Sequence, residues 1–344
     1  MSICRNKVFL GKVVVAGDVL KRCGILRMKL LFLLSLPRSG STLLQRLLMG
    51  HADISSCGEP WLALPISMMD NQSATFSTYG HFSLVGAVNN IFENLDGGRD
   101  EFLRQGGQFI QNVYEKLNDQ DSLYFLSKTP RYYKIIDDLR VMFPEAKFIF
   151  LTREPVAVFG SILNYIKGEM YHLPPWQQDI IEGIPFLSAA IESYSEISLR
   201  VDYESLVMNP ESELERILSY LGLDLEPAMF DAFADRDINM GDPHGAKKYK
   251  SVSKSSLGSW KSIINSRAKK RVGYNWLSAV PEDCFNVFGT SRQEQLDKLS
   301  RHQVAFSARD SWRWIVGATY FYNNLNVLRW SYKRRRMKAC SSLY

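Results

Sequence analysis

Residues 30–42 constrain the fold of this chain most, because they join a short apolar run to a tight polar loop and a helix start. Residues 30–36 have the pattern of a fully buried strand, and the leucines that follow share one helical face, at positions 43, 44, 47 and 48. A strand, loop and helix start of this kind gathers free backbone N–H groups at the positive end of the helix dipole. The segment therefore predicts an anion-binding cradle.

The loop in this segment has the length of the nucleotide-binding pattern G-x-x-x-x-G-K-[ST] but lacks its lysine. Ser35 and Gly40 stand at the two glycine positions, Ser41 stands at the lysine position and Thr42 at the hydroxyl position. Arg38 supplies a cation from inside the loop instead. The missing lysine argues against an ATP-dependent kinase, which remains the alternative enzyme class. A plain polar turn between a strand and a helix is the structural alternative.

A second anion site is predicted at the end of the apolar run 147–152, where Arg153 follows the strand and a helix begins two residues later. A guanidinium suits a bidentate grip on a phosphate. Ser161 lies eight residues further on, so about two helical turns bring its hydroxyl near the same anion. The alternative is a surface arginine that pairs with Glu154 or Asp137.

The order of the predicted elements indicates the fold class. Pro210 begins a helix that Asn209 is placed to cap and that Gly222 ends. Strands that alternate with helices indicate an α/β fold with a parallel sheet and helices on both faces. The predicted strands are 30–36, 123–126, 147–152 and a weaker one at 199–201.

The charge distribution divides the chain into three parts. Residues 1–28 form a basic extension, residues 29–265 form the predicted domain, and residues 266–344 form a basic, aromatic-rich extension that we expect to pack on it. Residues 29–269 carry 23 basic and 30 acidic side chains, which argues against a nucleic-acid partner. Residues 60–120 are predicted to be a mainly helical insertion that forms an acceptor pocket.

The cysteines and the hydropathy pattern indicate a cytoplasmic protein. The five cysteines are scattered and form no C-x-x-C pair, so neither a disulfide framework nor a zinc site is predicted. Residues 314–328 form the longest charge-free stretch near the C-terminus, and fifteen residues are too few to span a bilayer. The basic run 333–338 follows several aromatic residues, and we interpret this segment as a packed terminal helix with a solvated tail. The alternative is a peripheral contact with an anionic membrane, which aromatic and basic residues together suit.

Three segments, PRSGST at 37–42, FLTREPVAVFGSIL at 150–163 and VDYESLVMNPESELERILSYLGL at 201–223, resemble sulfotransferases that use 3′-phosphoadenylyl sulfate (PAPS). The resemblance covers about residues 29–265. It is closest to the branch that contains protein-tyrosine sulfotransferases and bacterial sulfotransferases. It implies a P-loop-like sheet. It implies PAPS as co-substrate without a metal, and release of adenosine 3′,5′-bisphosphate (PAP). By position, Arg153 and Ser161 bind the 3′-phosphate. The 5′-phosphosulfate is held by Arg38, Ser39, Gly40, Ser41 and Thr42.

The resemblance also implies roles in the transfer of sulfonate to an acceptor hydroxyl. Glu59 is implied as the general base, although the family shows two consecutive glutamates where this chain has Glu59 and Pro60. Lys128, just past the predicted strand 123–126, is implied beside the transferring sulfonate together with Arg38. Lys250 is placed as a phosphate contact by alignment on Trp260, with a solvated basic loop as the alternative.

Several alternatives remain open at this point. Glu59 is otherwise a residue that orients the loop or an arginine, Lys128 is otherwise solvated, and His244 and His51 are the next candidates for the base. A non-catalytic nucleotide-binding module is the alternative to an enzyme. The acceptor hydroxyl belongs to a carbohydrate, a small alcohol, a lipid or a tyrosine.

Overall fold

The computed structural model describes residues 28–71, 80–118, 121–227, 229–230 and 252–323. Its centre is a five-stranded parallel sheet with the strand order β2-β3-β1-β4-β5. The predicted α/β class and parallel sheet are confirmed, and the predicted strand 147–152 has the observed bounds. The strands are β1 Lys29–Ser35, β2 Ile54–Ser56, β3 Tyr124–Ser127, β4 Lys147–Thr152 and β5 Ser198–Asp202.

The central strand β1 is buried on both faces, which explains its continuous apolar sequence. Leu30, Phe32 and Leu34 point into one hydrophobic core, and Leu31 and Leu33 point into the other. This alternation follows from the two-residue period of a strand. Helices on both faces of the sheet are therefore required to cover these side chains, as predicted.

Two hydrophobic cores, one on each face of the sheet, are built with side chains of the helices. The core on one face includes residues of the first, ninth and tenth helices, and the other core includes residues of the fourth, fifth, sixth, eighth, twelfth and thirteenth. The helices are α1 Ser41–Met49, α2 Ala63–Ser67, α3 His81–Asn94, α4 Gly98–Leu117, α5 Ile136–Met142, α6 Pro155–Tyr165, α7 Gln177–Ile181, α8 Gly183–Ser193, α9 Tyr203–Met208, α10 Pro210–Leu221, α11 Trp260–Ile263, α12 Arg267–Ser278 and α13 Arg292–Arg301. Residues 308–323 are helical as well. Short 3₁₀ helices occupy Tyr132–Ile135, Met170–His172, Pro174–Trp176, Lys254–Ser256 and Asp283–Phe288.

Helix α10 begins at Pro210 as predicted, and Gly222 ends it with a positive φ of 76°. Asn209 takes the N-cap position, but its side chain makes no capping bond. The same residue is the C-cap of α9, and its backbone N–H bonds to the Ser205 carbonyl. Its backbone therefore joins two helices, which differs from the predicted side-chain cap.

The helical insertion lies between β2 and β3 and comprises α2, α3 and α4. Beyond residue 260, the described helices pack back on the sheet domain. The ring centres of Trp276 and Phe159 lie 5.6 Å apart, and Lys298 Nζ donates to Glu154 Oε1 at 2.7 Å. Within the described residues, no helix combines the length and the apolar character needed to cross a membrane.

Candidate active site

The three central strands of the sheet end at the predicted site residues. Lys128 follows β3, the loop 36–40 follows β1 and Arg153 follows β4. Because β1 pairs in parallel with both β3 and β4, these three strand ends lie side by side at one edge of the sheet. Ligands of open α/β sheets bind at this carboxyl edge.

The loop after β1 closes tightly onto the start of α1. Gly40 is the N-cap and has a φ of 99°, and its carbonyl accepts from the N–H groups of Leu43 at 2.9 Å and Leu44 at 3.2 Å. A Cβ atom at Gly40 would lie 2.3 Å from the ring of Tyr203, so the position requires glycine. Ser39 and Ser41 are buried in the same turn. The first N–H groups of α1 have no carbonyl acceptor within the helix, so they are available to an anion.

Arg38 and Arg153 meet at this edge. Arg38 has a positive φ of 70° and lies with its guanidinium 4.8 Å from the ring centre of Tyr165. Its carbonyl oxygen accepts a hydrogen bond from Arg153 Nη1 at 3.0 Å. The residue after β4 is therefore tied directly to the loop after β1, and the two predicted anion sites are neighbours.

Arg153 is buried, and its guanidinium lies 4.3 Å from the ring centre of Tyr203. Its Nε atom is buried and has no hydrogen-bond partner in the part of the chain that the structure describes. Buried polar atoms are normally paired, so an unpaired guanidinium N–H points to an acceptor supplied by a ligand. The alternative of a surface arginine paired with Glu154 or Asp137 does not fit this burial.

Ser161 lies on the second turn of α6 and is half-buried. The preceding Gly160 packs so closely on Trp260 that a Cβ atom there would lie 2.5 Å from the Trp260 Cβ atom. Trp260 therefore covers the helix beside Ser161. Lys250 and His244 lie outside the described residues.

Lys128 and Glu59 form a buried ion pair at the end of β3. Lys128 Nζ donates to Glu59 Oε1 at 2.7 Å, and the side chains are 2% and 12% exposed. The same ammonium lies 3.5 Å from Thr42 Oγ1 at the start of α1. Lys128 is thus not a solvated loop lysine. The structure brings together the predicted base, the predicted sulfonate contact and the predicted phosphate loop.

A model of the sulfotransferase family matches residues 31–227, which is more than half of the chain. The chain belongs to the sulfotransferase family. The nodulation protein NoeE of Sinorhizobium fredii is 27% identical over 260 residues, which cover 68% of this chain and 60% of NoeE. Protein-tyrosine sulfotransferase 1 of Danio rerio is 27% identical over 201 residues, which cover 57% of this chain and 54% of that protein. The matches thus span about half to three fifths of these two relatives.

A sulfotransferase domain from the olefin synthase of Synechococcus PCC 7002 has a similar structure, with a TM-score of 0.50 and 24% identity. The match covers 76% of this chain and 95% of that domain, and it shows a shared fold. The family predicted from the sequence motifs is confirmed. An ATP-dependent kinase, the alternative enzyme class, is not supported by these matches.

Sequence reasoning missed two residues beside Arg153 and the loop after β1. Tyr203 and Glu204 follow β5, and the ring of Tyr203 contacts both Gly40 and Arg153. Burial, with the nearby charge of Asp202, raises the pKa of Glu204 to about 7, although the charge of Arg153 acts in the opposite direction. Glu204 Oε1 accepts from the Glu154 N–H at 3.3 Å. The polar sequence directly after a strand was the available signal.

Gln45 is a further missed residue on the catalytic side. It is fully buried on α1, and its Nε2 donates to Ser56 Oγ and to the Cys57 carbonyl, both at 2.8 Å. It therefore fixes the segment that leads to Glu59. The available signal was a polar side chain between the leucine pairs of this helix. Burial raises the pKa of Cys57, although the charge of Lys128 acts in the opposite direction.

His51 is held by two hydrogen bonds and has no nitrogen left for catalysis. Its Nδ1 accepts from the Asp53 N–H at 2.9 Å, which leaves Nε2 to donate to the Asp224 carbonyl at 3.1 Å. These bonds argue against His51 as the next candidate for the base. Among the described residues, no group of three or more His, Cys, Asp or Glu side chains is placed to hold a metal ion.

Proposed function

We propose that this chain transfers the sulfonate group of PAPS to an acceptor hydroxyl and releases PAP. The Glu59–Lys128 ion pair, 3.5 Å from the Thr42 hydroxyl of the phosphate loop, carries this proposal. It places a carboxylate and a buried cation beside an anion cradle. Sulfonate transfer needs a carboxylate to accept the proton of the acceptor hydroxyl and a cation to stabilise the leaving phosphate oxygen, both close to the bound donor.

The nucleotide fits the two linked anion sites. The loop residues Arg38 to Thr42 would hold the 5′-phosphosulfate through backbone N–H groups and the Arg38 side chain. Arg153 would use its unpaired Nε and the rest of its guanidinium on the 3′-phosphate. Ser161 and Lys250 are proposed to complete this second site. A nucleotide phosphorylated at both ends suits two anion sites on adjacent strand ends.

The chemical step is an in-line displacement at sulfur. Glu59 accepts the proton of the acceptor hydroxyl as the new oxygen–sulfur bond forms. The bond between sulfur and the phosphate oxygen breaks, and its electron pair stays on the phosphate of PAP. Lys128, with Arg38 and the loop N–H groups, stabilises the charge that grows on that oxygen. A non-catalytic module would have no need of this buried pair.

The nucleotide preference tests this proposal. PAP should stabilise the protein without magnesium, by roughly 2.7 kcal/mol when its concentration is about a hundred times its Kd. A thermal-shift series with PAP, ATP plus magnesium and AMP measures this. Equal stabilisation by ATP plus magnesium would contradict the proposal. Release of PAP from labelled PAPS in the presence of a cell extract then distinguishes an enzyme from a binding module.

We also propose that residues 29–265 are the catalytic domain, flanked by basic extensions at 1–28 and 266–344, and that the protein is cytoplasmic. The C-terminal extension is proposed to contact an anionic membrane surface. Phe306, Trp312 and Ile315 are each more than 60% exposed, and the last two share a face of the 308–323 helix. Residues 324–344 contain six Lys and Arg residues and no acid. Aromatic and basic residues together suit the interface of an anionic bilayer.

Co-sedimentation with vesicles tests the membrane contact. Binding to vesicles with phosphatidylserine should exceed binding to pure phosphatidylcholine and should weaken with salt. The variant Trp312→Ser/Ile315→Ser should lose most of this binding, whereas the matched control Phe109→Ser changes a side chain that is 58% exposed on the insertion. Equal losses in both variants, or no preference for the anionic lipid, would overturn the proposal.

A further inference from the structure

A cavity of about 280 Å³ lies between the helical insertion and the segment that follows β3, and no residue of the loop after β1 lines it. It opens where α2, the start of α4 and the start of α5 meet, and its volume is near the lower end of ligand pockets, enough for about one sugar ring. The polar residues of its wall are Ser67, Asp70, Asn71, Arg99, Lys134 and Asp138.

Arg99 holds the charged wall of this cavity rigid. Its Nε donates to Asp70 at 3.0 Å, and its two terminal nitrogens donate to the Asp138 carboxylate at 2.7 and 2.8 Å. Ser67 binds the same carboxylate through its hydroxyl. Burial acts to raise the pKa of Asp138, but the bonds from Arg99 and Ser67 hold that pKa below its usual value. Asp138 is therefore a fixed, ionised acceptor.

The chemistry of the wall indicates the ligand class. Among the described residues that line the cavity, two carboxylates and two cations leave no formal net charge, and Met68 is the one apolar side chain. Carboxylate oxygens accept from hydroxyl groups, and Lys134, whose Nζ lies 3.5 Å from Glu182 Oε2, has three N–H donors and so is able to donate to a hydroxyl oxygen as well. A lipid tail would need an apolar wall, and an acidic peptide would need a basic one. A neutral ligand with many hydroxyls fits best.

The cavity is connected to the Glu59–Lys128 pair by two chain segments that lie side by side. The segments 59–71 and 128–138 are joined by four contacts in sequence order. They are Lys128 Nζ to Glu59 Oε1 at 2.7 Å, the Trp61 N–H to Thr129 Oγ1 at 3.3 Å, the Ala63 N–H to the Tyr132 hydroxyl at 3.5 Å, and the Ser67 hydroxyl to Asp138. The ion pair stands at one end of this series, and the wall of the cavity stands at the other.

Trp61 lies between the ion pair and the cavity in this series. Its side chain is 41% exposed, and its backbone has a φ of 54°, in the left-handed region that tryptophan rarely adopts. Residues strained in this way cluster at ligand sites. The bond from its N–H to Thr129 holds this conformation. An exposed indole offers a flat face on which the C–H face of a sugar ring can stack.

We infer that Trp61 and the cavity form a saccharide subsite, so that the acceptor is a carbohydrate. One sugar unit presents its hydroxyl to Glu59, and a neighbouring unit stacks on Trp61 and extends into the cavity. This inference rests on the proposed function and specifies its substrate class.

Binding to an array of neutral mono- to tetrasaccharides tests the subsite, with tyrosine peptides and long-chain alcohols on the same array. The full chain is applied with and without PAP. We expect binding to a subset of the saccharides, reduced roughly tenfold or more in Trp61→Ala and in Asp70→Asn. Trp61→Phe should restore most of the binding, because it keeps an aromatic face. Trp312→Ala and Asp297→Asn are the matched controls on distant surface residues.

The stabilisation of each variant by PAP is measured alongside the array. Intact PAP stabilisation with lost saccharide binding supports the subsite, because it excludes general unfolding. The inference is overturned if no saccharide binds, if the two cavity-side variants bind saccharides as the wild type does, or if peptides or alcohols bind instead. If PAP does not stabilise the wild type, the proposed nucleotide function is refuted. The array without PAP then still shows whether saccharides bind at the proposed subsite.

Discussion

Replacing Glu59 by Gln tests whether Glu59 accepts the proton of the acceptor hydroxyl, as proposed. Glu59 is held by one strong contact, the 2.7 Å bond from Lys128 Nζ to its Oε1 atom. Gln keeps the shape of the side chain and an oxygen that accepts the same bond. It removes the negative charge and the ability to accept the acceptor's proton at neutral pH.

The expected effects on rate and stability differ in size. A general base contributes typically about 10²–10⁴-fold, so kcat should fall at least about a hundredfold while the KM for PAPS changes little. Removing one partner of a buried ion pair costs about 3–5 kcal/mol. Because Gln keeps the hydrogen bond to Lys128, we expect a smaller loss, about 1–3 kcal/mol in the free energy of unfolding. Kinetics must therefore be measured at a temperature where both proteins are folded.

Single-turnover transfer from labelled PAPS gives the rate, and calorimetry with PAP gives the nucleotide affinity. PAP binding should stay within about threefold of the wild type or tighten, because Lys128 loses its competing carboxylate. Glu101→Gln is the matched control, since Glu101 pairs with Arg104 on the surface of the insertion. Turnover within severalfold of the wild type would refute the base role and leave Glu59 to position Lys128. His51 could not take over, since both of its ring nitrogens are bonded.

Three further changes test the phosphate side of the site. Arg153→Ala should weaken PAP binding by about 1.5–3 kcal/mol and leave adenosine 5′-phosphosulfate nearly unaffected in calorimetry; equal losses would make Arg153 structural. Because the pKa of Glu204 is raised to about 7, the folded protein holds a proton between about pH 4.5 and 7 that the unfolded chain releases. Stability should therefore fall by up to about 3 kcal/mol as pH rises through this range in urea unfolding, and Glu204→Gln should flatten the profile. Gly40→Ala should abolish the stabilisation by PAP in a thermal-shift assay, because the new Cβ atom would lie 2.3 Å from the Tyr203 ring. The control Gly86→Ala should keep this stabilisation, because a Cβ atom there has no other atom within 4 Å.

The parts of the fold that the sequence predicted are those in which one pattern decides the structure. The strand β4 is buried along nearly its whole length, so its apolar run marks its bounds. Pro210 and Gly222 mark the ends of α10 through their own backbone restrictions. The strand β2 has only three residues, Ile54–Ser56, at the edge of the sheet. Such a segment shows no period that distinguishes it from a loop.

The site was predicted as separate residues, and its contacts depend on strand order. Arg153 meets Tyr203 because β4 and β5 are neighbours, and Glu59 meets Lys128 because β2 pairs with β3. Local sequence patterns carry no information on which strands pair. Glu204 was missed for the same reason, since the burial that raises its pKa depends on how the neighbouring strand ends pack around it.

The two halves of the site are built differently, and this has a consequence for specificity. The proposed nucleotide half consists of residues at the ends of paired strands, tied together by the 3.0 Å bond between Arg153 and the Arg38 carbonyl. The proposed acceptor half consists of loop and insertion residues whose contacts join segments about 70 residues apart, such as Trp61 and Thr129. A change in the insertion can therefore alter the acceptor wall while the strand ends that hold the nucleotide stay fixed. Substitutions at Trp61 and Asp70 should accordingly change acceptor KM and leave the Kd for PAP unchanged.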